Sequence, residues 1–543
     1  MLLKALRSKY PLTLLAIAGG VLLWLGWPTK PTNVILLVAL VPLLFLEDRI
    51  NRDPEIKYKA SRFFKYSYLH CLVWNVLTTY WVCFSTVPGG LMAIFANSFL
   101  MTMPLLAFFW TKRIWGEYVG YPALIVYYLT FEFFHLNWDL TWPWLTLGNG
   151  FAAMPFLIQW YEYTGHLGGS LWIWLVNICV FLWIRKCTIN RPFYKKAAIG
   201  LAVVPMLISL LIWFTHEEKG KDVEAVVVQP NIDPYTEKFW KAEKFIPYED
   251  QLQRLLTLSD AKATPDTRLV FWPETALATN YDEATIDSYD LIRILKTFVA
   301  NYPDLHLVGG LDSYKLYGEK ADASPTVRFR EDLGHYDVFN TAMHVDKAGK
   351  IELYHKSKLV PGVEKLPYPE FFKILGPLAI DLGGTVGSLG SQAERAVFWA
   401  ADGVGVAPVI CYESIYGDFV TGYVREGATI IGIITNDAWW GNTPGYKQHL
   451  QYGRLRAIEN RRSIARSANT GISCFINQRG DILQESDWWV QASLRGTIKA
   501  NSELTFYSRF GDYLGHAARW LSLLLMIGTF GKYVITRSKR SKV

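Results

Sequence analysis

Long apolar segments follow one another through the first 214 residues and recur near the end of the chain. The eight segments are 11–27, 33–46, 69–84, 91–110, 119–134, 170–184, 197–214 and 517–535. A bilayer needs roughly 20 apolar residues per helix, so we expect the shorter segments to extend into flanking Trp and Tyr residues. So many segments in succession indicate membrane-spanning helices rather than buried helices of a soluble protein. No small-residue cleavage site follows the first segment, so we expect it to remain as an uncleaved helix.

Lysine and arginine residues mark every second loop between these segments. They cluster in 49–65, 112–113, 185–196 and 537–542, whereas the intervening loops carry almost none. Basic loops stay in the cytoplasm, so both termini are expected there. The predicted domains are 1–218 with seven transmembrane helices, 219–511 outside the cytoplasm, and 512–543 with the last helix and a basic tail. The net charge of +7 comes with these loops and does not indicate nucleic-acid binding.

The segment 219–511 alternates strand-like runs with helix-like runs. Strands are expected at 225–228, 269–272, 306–309, 350–354, 406–410, 430–434 and 472–476, and helices at 248–258, 285–300 and 448–467. This alternation predicts a layered α/β domain. Pro408 counts against a central position for its strand, because proline cannot donate to a sheet ladder. The predicted fold class is therefore a multi-span α-helical membrane domain plus an α/β domain.

Three of the predicted strands end on a residue with catalytic chemistry. Phe-Trp-Pro-Glu ends on Glu274, Tyr-His-Lys ends on Lys356, and Val-Ile-Cys ends on Cys411. We expect them at the ends of strands of one sheet, where open α/β sheets place reactive groups. A thiol nucleophile needs a base and a cation for the oxyanion, so we assign Cys411 as nucleophile, Glu274 as base and Lys356 as oxyanion stabiliser. The alternative for Cys411 is a buried structural cysteine, and a disulfide with Cys474 would contradict the assignment.

The motifs Phe-Trp-Pro-Glu, Tyr-x-Lys-x-x-Leu-Val-Pro and Ile-Cys-Tyr-Glu, in this order, resemble the Glu-Lys-Cys triad of the nitrilase superfamily. With the membrane segments, the chain resembles the bacterial apolipoprotein N-acyltransferases. The resemblance implies an αββα nitrilase-like sandwich on the periplasmic side of the inner membrane. It also implies transfer of a fatty acyl chain from a membrane phospholipid, through a thioester on Cys411, to the N-terminal amine of a diacylglyceryl-cysteine apolipoprotein. We expect a monomer with no cofactor, no metal and no nucleic-acid partner.

Two other functions remain open on the sequence alone. A membrane-anchored amidase or nitrile hydrolase would use the same triad with water in place of the amine. A binding module on a membrane base would need no triad, so the presence of Glu274, Lys356 and Cys411 in order counts against it.

The resemblance also implies residues that support the triad. Glu364 and Glu413 would hold Lys356 and position the amine, with structural ion pairs as the alternative. Tyr412 would shape the pocket, and Asn436 and Trp439 would support it. Either Trp240 or Phe239 would occupy the position of a tryptophan that the family carries. The family commonly reads Leu-Val-Pro-Phe-Gly-Glu where this chain has Leu-Val-Pro-Gly-Val-Glu, which leaves the role of Glu364 open.

Two aromatic groups are predicted to contact lipid. Trp144 lies in a Trp-rich loop over 136–165, which we interpret as an interfacial aromatic belt, with a wall of the lipid site as the alternative. Phe371 and Phe372 lie in an apolar stretch, 369–380, that glycine and proline interrupt. We expect this stretch to form a lid that dips into the membrane surface, with packing in the domain core as the alternative.

Overall fold

The computed structural model describes residues 11–185, 188–318, 324–368 and 388–540. The chain divides into two compact units. One is mainly helical and comprises Met1–Cys83, Gly90–Thr215 and Phe510–Val543, and the other comprises Phe84–Gly89 and His216–Arg509.

Each apolar segment of the sequence falls on helical structure. The helices are Leu12–Leu25, Leu36–Ala39, Val41–Arg52, Lys59–Thr79, Val87–Trp115, Glu117–Asn137, Tyr161–Ile184, Arg191–Thr215 and Tyr513–Arg540. The segment 33–46 is split into short pieces, because the chain leaves regular helical geometry around Leu40. In the described part of the chain, four helices are long and apolar enough to cross a membrane: Val87–Trp115, Tyr161–Ile184, Arg191–Thr215 and Tyr513–Lys539. The count of eight spans therefore stays a prediction.

The Trp-rich loop forms short 3-10 helices inside the helical unit. The side chain of Trp144 is fully buried, so this residue does not lie at the surface of the helical unit. Its ring packs 4.7 Å from the ring of Trp81 and 5.6 Å from that of Trp142. A belt residue would face the lipid headgroups, so the interfacial interpretation is wrong for Trp144, and this residue belongs to the packed core of the helical unit.

The other unit contains two sheets. The first comprises β1 (Lys221–Gln229), β2 (Leu269–Phe271), β3 (Leu277–Asp282), β4 (His306–Tyr317), β5 (Arg328–Arg330), β6 (Gly334–Val345), β7 (Ile351–His355) and β14 (Ala492–Ala500). The second has the order β13-β12-β11-β10-β9-β8, formed by β8 (Phe398–Trp399), β9 (Gly405–Ile410), β10 (Ile430–Thr435), β11 (Ile464–Ala468), β12 (Cys474–Ile476) and β13 (Ile482–Glu485). Parallel pairs β1/β2, β2/β4, β9/β10 and β10/β11 form the centres of the two sheets.

The two sheets face each other between layers of helices. A Cβ atom on Gly432 would lie 2.4 Å from the Phe271 ring of the opposite sheet, so the sheets meet closely there. Helices Tyr248–Asp260 and Asp290–Ala300 cover the first sheet through an apolar cluster with its strands. Helix Pro444–Asn460 packs on the second sheet, where Gly453 lies against Ile433. The result is the αββα sandwich that the resemblance implies.

One local expectation was wrong, and another agrees with the structure. The helix predicted over 448–467 ends at Asn460, because Arg461 adopts a left-handed conformation with φ of 48° and Ile464–Ala468 forms a buried strand between β10 and β12. As Pro408 predicts, β9 is not central at this residue, which has a neighbouring strand, β10, on one side only. It is tolerated because β8 pairs only with Gly405 and Val406, so Pro408 lies beyond the end of that neighbour.

Candidate active site

The three catalytic candidates lie at strand ends, but these strands belong to two sheets. Glu274 follows β2 and Lys356 follows β7 in the first sheet, whereas Cys411 follows β9 in the second. The expectation of a single sheet was therefore wrong. The two sheets face each other at the site: Glu274, from the first sheet, accepts a hydrogen bond at 3.1 Å from the backbone N–H of Asn436, which follows β10 of the second sheet.

The carboxylate of Glu274 is buried and accepts hydrogen bonds on both oxygens. Its Oε1 atom accepts from Lys356 Nζ at 3.0 Å and from Asn340 Nδ2 at 2.8 Å. Its Oε2 atom accepts from the backbone N–H of Asn436 at 3.1 Å. These contacts fix the plane of the carboxylate between the two sheets, as a base aimed at one neighbour requires.

Lys356 is 1% exposed and lies between two carboxylates. Its Nζ atom donates to Glu274 Oε1 at 3.0 Å and to Glu364 Oε1 at 2.8 Å. Burial by itself would lower the pKa of Lys356, but the charges of Glu274 and Glu364 raise it well above its ordinary value. Lysine has three N–H donors, so the third remains available for a bound group after these two bonds. Within the described residues, Lys356 is thus a fixed cation with two acceptors and one further donor.

Cys411 occupies a strained turn. Its φ is 48°, in the left-handed region, where non-glycine residues are uncommon. Burial and the negative charge of Glu274 raise the pKa of its thiol well above the ordinary value, against the opposing effect of Lys356. The resting thiol is therefore protonated, and attack requires a base to remove that proton. Cys411 and Cys474 are both free thiols, so no disulfide joins them.

Glu364 and Glu413 have different hydrogen-bond partners. Glu364 contacts Lys356 directly and also accepts from Val360 N–H at 2.8 Å, which orders its own loop despite the altered motif. Glu413 has no hydrogen bond to the Lys356 amine. It accepts from the backbone N–H groups of Ser357 at 2.7 Å and Ile410 at 2.8 Å. Glu413 thus joins the chain after Lys356 to the chain before Cys411.

Asn436 supports the base through its backbone N–H, while its side chain accepts from Asn469 Nδ2 at 3.2 Å. The Tyr412 ring is 3% exposed and packs at 5.4 Å from the ring of Tyr416. The Trp439 ring packs edge-on against Tyr235, with the ring centroids 5.3 Å apart.

Of the three other candidates, one is described away from the triad and two lie outside the described residues. Trp240 is 68% exposed on the α/β unit, so its side chain does not support the triad by packing. Substrate contact by Trp240 stays a prediction. Phe371 and Phe372 lie outside the described residues, and the lid stays a prediction as well.

Two site residues were missed by sequence reasoning. Asn340, on β6, donates from one amide nitrogen to Glu274 at 2.8 Å and to Glu364 at 3.2 Å. Lys238 is buried and donates to Thr275 Oγ1 at 2.5 Å, beside Glu274, and burial lowers the pKa of this lysine to about 8. Asn340 gave no clear signal, because β6 also carries the polar residues Asp337, Thr341 and His344. Lys238 gave none, since its neighbours show no clear period.

Comparisons with known proteins agree with this geometry. A family model described as carbon-nitrogen hydrolase matches residues 227–503, more than half of the chain. The chain belongs to the carbon-nitrogen hydrolase family. A second model, described as the apolipoprotein N-acyltransferase N-terminal domain, matches residues 19–179.

Curated relatives match nearly the whole chain. The apolipoprotein N-acyltransferase of Chlorobaculum tepidum is 29% identical over 528 residues, covering 94% of this chain and 95% of the relative. That of Geobacter metallireducens is 28% identical over 522 residues, covering 93% and 92%. Among solved structures, Nit3 of Saccharomyces cerevisiae, a member of the nitrilase superfamily, aligns with 54% of this chain and 95% of its own, at 15% identity and a TM-score of 0.37.

The resemblance to the apolipoprotein N-acyltransferases is thereby confirmed, and so is the nitrilase-like fold class. The protein is an acyltransferase, as the resemblance predicted. Its apolar helices and its bacterial relatives identify a bacterial membrane enzyme.

Proposed function

We propose that this enzyme transfers a fatty acyl chain from a membrane phospholipid to the N-terminal amine of diacylglyceryl-cysteine apolipoproteins, through a thioester on Cys411. The supporting observation is Lys356, which lies between Glu274 and Glu364 and, among the residues that the structure describes, keeps one N–H donor for a substrate. A fixed cation with a free donor, next to a protonated thiol and a carboxylate base, suits attack on an acyl carbonyl. The names of the relatives supply the acceptor class.

In the first half-reaction, Glu274 takes the proton of the Cys411 thiol. The sulfur forms a bond to the ester carbonyl carbon of the phospholipid, and the carbonyl oxygen becomes an oxyanion. The free N–H of Lys356 stabilises that oxyanion. The bond to the glycerol oxygen then breaks, and this oxygen takes the proton from Glu274. The products are the thioester and a lysophospholipid.

In the second half-reaction, the α-amine of the apolipoprotein attacks the thioester carbonyl. Its nitrogen forms the amide bond while Glu274 accepts the proton that the nitrogen releases. The carbon–sulfur bond breaks, and the thiolate of Cys411 recovers a proton from Glu274. Burial of the triad keeps water from competing with the amine at the thioester.

The proposal includes a place in the cell. Eight helices would cross the inner membrane, with residues 219–511 on the periplasmic side, because basic residues mark alternate loops. On that side the catalytic unit meets the outer surface of the membrane, where both a phospholipid ester and a lipid-anchored amine are within reach. The enzyme would act as a monomer.

Acceptor dependence tests the function. Purified enzyme in phospholipid vesicles is given a synthetic peptide with an N-terminal diacylglyceryl-cysteine, and lysophospholipid and N-acyl peptide are measured. We expect equal amounts of the two products. A matched peptide with an acetylated N-terminus should give no more lysophospholipid than the single turnover that forms the thioester. Continuous release of fatty acid without any amine would instead identify a hydrolase and contradict the proposal.

A further inference from the structure

A narrow groove in the helical unit takes no part in the steps above. It lies among the helices Val87–Trp115, Glu117–Asn137 and Tyr513–Arg540, and its volume is about 390 Å³. Two of these helices supply its walls with side chains at helical spacing: Ala107, Trp110 and Ile114, and Met526, Phe530 and Tyr533. The groove therefore runs lengthwise between the first and the last of these helices.

The base of the groove is formed by three buried side chains, those of Thr111, Tyr127 and Thr529. The hydroxyl of Tyr127 lies 3.0 Å from Oγ1 of Thr111, which in turn lies 3.5 Å from Oγ1 of Thr529. These hydroxyl groups contact one another, so a ligand is not needed to satisfy them. The rest of the lining is apolar or aromatic, and the groove therefore suits an apolar group.

The dimensions of the groove distinguish between two kinds of apolar occupant. Ala107 and Ile114 are separated by about 10 Å along their helix. A volume of 390 Å³ over this length gives a cross-section on the order of 40 Å², whereas a helix about 10 Å across needs on the order of 80 Å². A lipid chain is thinner than a helix and has no backbone polar groups to satisfy. The dimensions favour a lipid chain over a helix of a second copy or of another protein.

The end of the groove near Trp115 is positively charged. The guanidinium carbon of Arg113 lies 5.9 Å from the ring centroid of Trp110, and Nζ of Lys532 lies 3.9 Å from that of Trp115. The helices Val87–Trp115 and Tyr513–Arg540 contain no Asp or Glu. Both cations therefore lie beside aromatic rings of the groove and belong to helices without negative charge.

The acidic residues near this end have other basic partners. Glu47 accepts a hydrogen bond at 2.5 Å from the buried amine of Lys112. Glu117 pairs with Arg185 at 2.6 Å and with Arg52 at 3.2 Å. These acids therefore do not offset the charges of Arg113 and Lys532. Arginine and lysine bind phosphate oxygens, and basic residues at the ends of membrane helices bind anionic lipid headgroups.

We infer that the groove binds one chain of an anionic phospholipid whose phosphate contacts Arg113 and Lys532. The last helix is largely exposed, so the bound lipid joins it to the helix Val87–Trp115. In the proposed topology this end lies at the cytoplasmic surface, whereas Cys411 acts on the periplasmic side, so this lipid is not the acyl donor. The inference does not depend on acyl transfer.

Photochemical labelling of the full-length wild-type protein tests the inference. The protein is placed in phosphatidylcholine nanodiscs that contain an ether-linked phosphatidylglycerol with a diazirine in one chain. An ether lipid has no ester carbonyl, so Cys411 cannot take a chain from this probe. We expect the labelled peptides to contain residues 107–114 and 526–533. Unlabelled ether phosphatidylglycerol should compete about tenfold better than ether phosphatidylcholine, because only the first carries a net negative charge.

Two double variants test the role of charge. Each basic residue near a membrane surface contributes roughly fivefold to the binding of an anionic lipid, so Arg113→Gln/Lys532→Gln should need about 30-fold more probe for equal labelling. Arg62→Gln/Lys65→Gln is the matched control, because it removes two exposed basic residues from the helix Lys59–Thr79 of the same unit. It should be labelled like the wild type.

Ala107→Phe fills the groove without a change of charge, so it should lose labelling at 526–533. Equal competition by the two unlabelled lipids in the wild type would show an ordinary lipid shell and overturn the inference, whatever the folding of the variants. Unchanged labelling of Arg113→Gln/Lys532→Gln would overturn it too. So would a wild-type dimer that becomes a monomer in Ala107→Phe, since a second copy would then fill the groove. Labelling as expected in a protein that transfers no acyl chain would contradict the proposed function alone.

Discussion

At the scale of single residues, the site depends on one cation, the Lys356 amine, which the carboxylates of Glu274 and Glu364 share. Asn340 donates to the same oxygens of Glu274 and Glu364 that Lys356 binds. The sequence pointed to Glu274, Lys356 and Cys411 because each ends an apolar run. It could not point to Asn340, because its place beside the triad depends on the pairing of β6 with β7.

Removing the base or the cation should nearly stop the reaction. Glu274→Gln keeps the shape of the side chain but cannot take the thiol proton, and Lys356→Ala removes the donor to the oxyanion. We expect each variant to lower kcat/KM for acyl transfer by roughly 100-fold or more. Cys474→Ala is the matched control, because this free thiol lies on β12 away from the triad motifs, and it should keep its activity. A Glu274→Gln enzyme within threefold of wild type would rule out the assigned base.

At the scale of elements, the strand pattern was predictable and the partition into sheets was not. Runs such as 430–434 are apolar throughout because both faces of β10 are buried. The sequence pattern does not predict which sheet such a strand joins, because the assignment of a strand to a sheet depends on crossovers between distant segments. This is why the triad was expected on one sheet and is assembled from two.

The close contact of the two sheets can be tested at Gly432. A Cβ atom there would lie 2.4 Å from the Phe271 ring. Because this ring is packed between the sheets, it cannot easily move away to relieve the clash. We expect Gly432→Ala to lower the free energy of unfolding by roughly 1–3 kcal/mol, measured as a lower Tm in a thermal scan. Gly453→Ala is the matched control, because its Cβ would meet the flexible ends of Ile433 at 3.3 Å and of Ile476 at 3.8 Å. Equal losses in both variants would contradict a specific contact between the sheets.

At the scale of the whole molecule, the pattern of charged loops predicts how the chain crosses the membrane. A reporter fused after Lys221 should be active outside the cytoplasm, and one fused after Val543 should be active inside, because basic loops stay in the cytoplasm. The two fusions bracket the catalytic unit and the last helix, so each serves as the control for the other. Activity of both on the same side would contradict the eight-helix topology.

The central claim is that Cys411 carries the acyl chain. Intact-mass measurement of the purified enzyme after incubation with a phospholipid of defined chain length tests it most directly. The wild-type protein should gain the mass of one acyl group, and Cys411→Ala should gain none. Addition of a diacylglyceryl-cysteine peptide should remove the adduct and return the mass of the free enzyme. An adduct of the same size on Cys411→Ala, or one that the peptide does not discharge, would contradict the account.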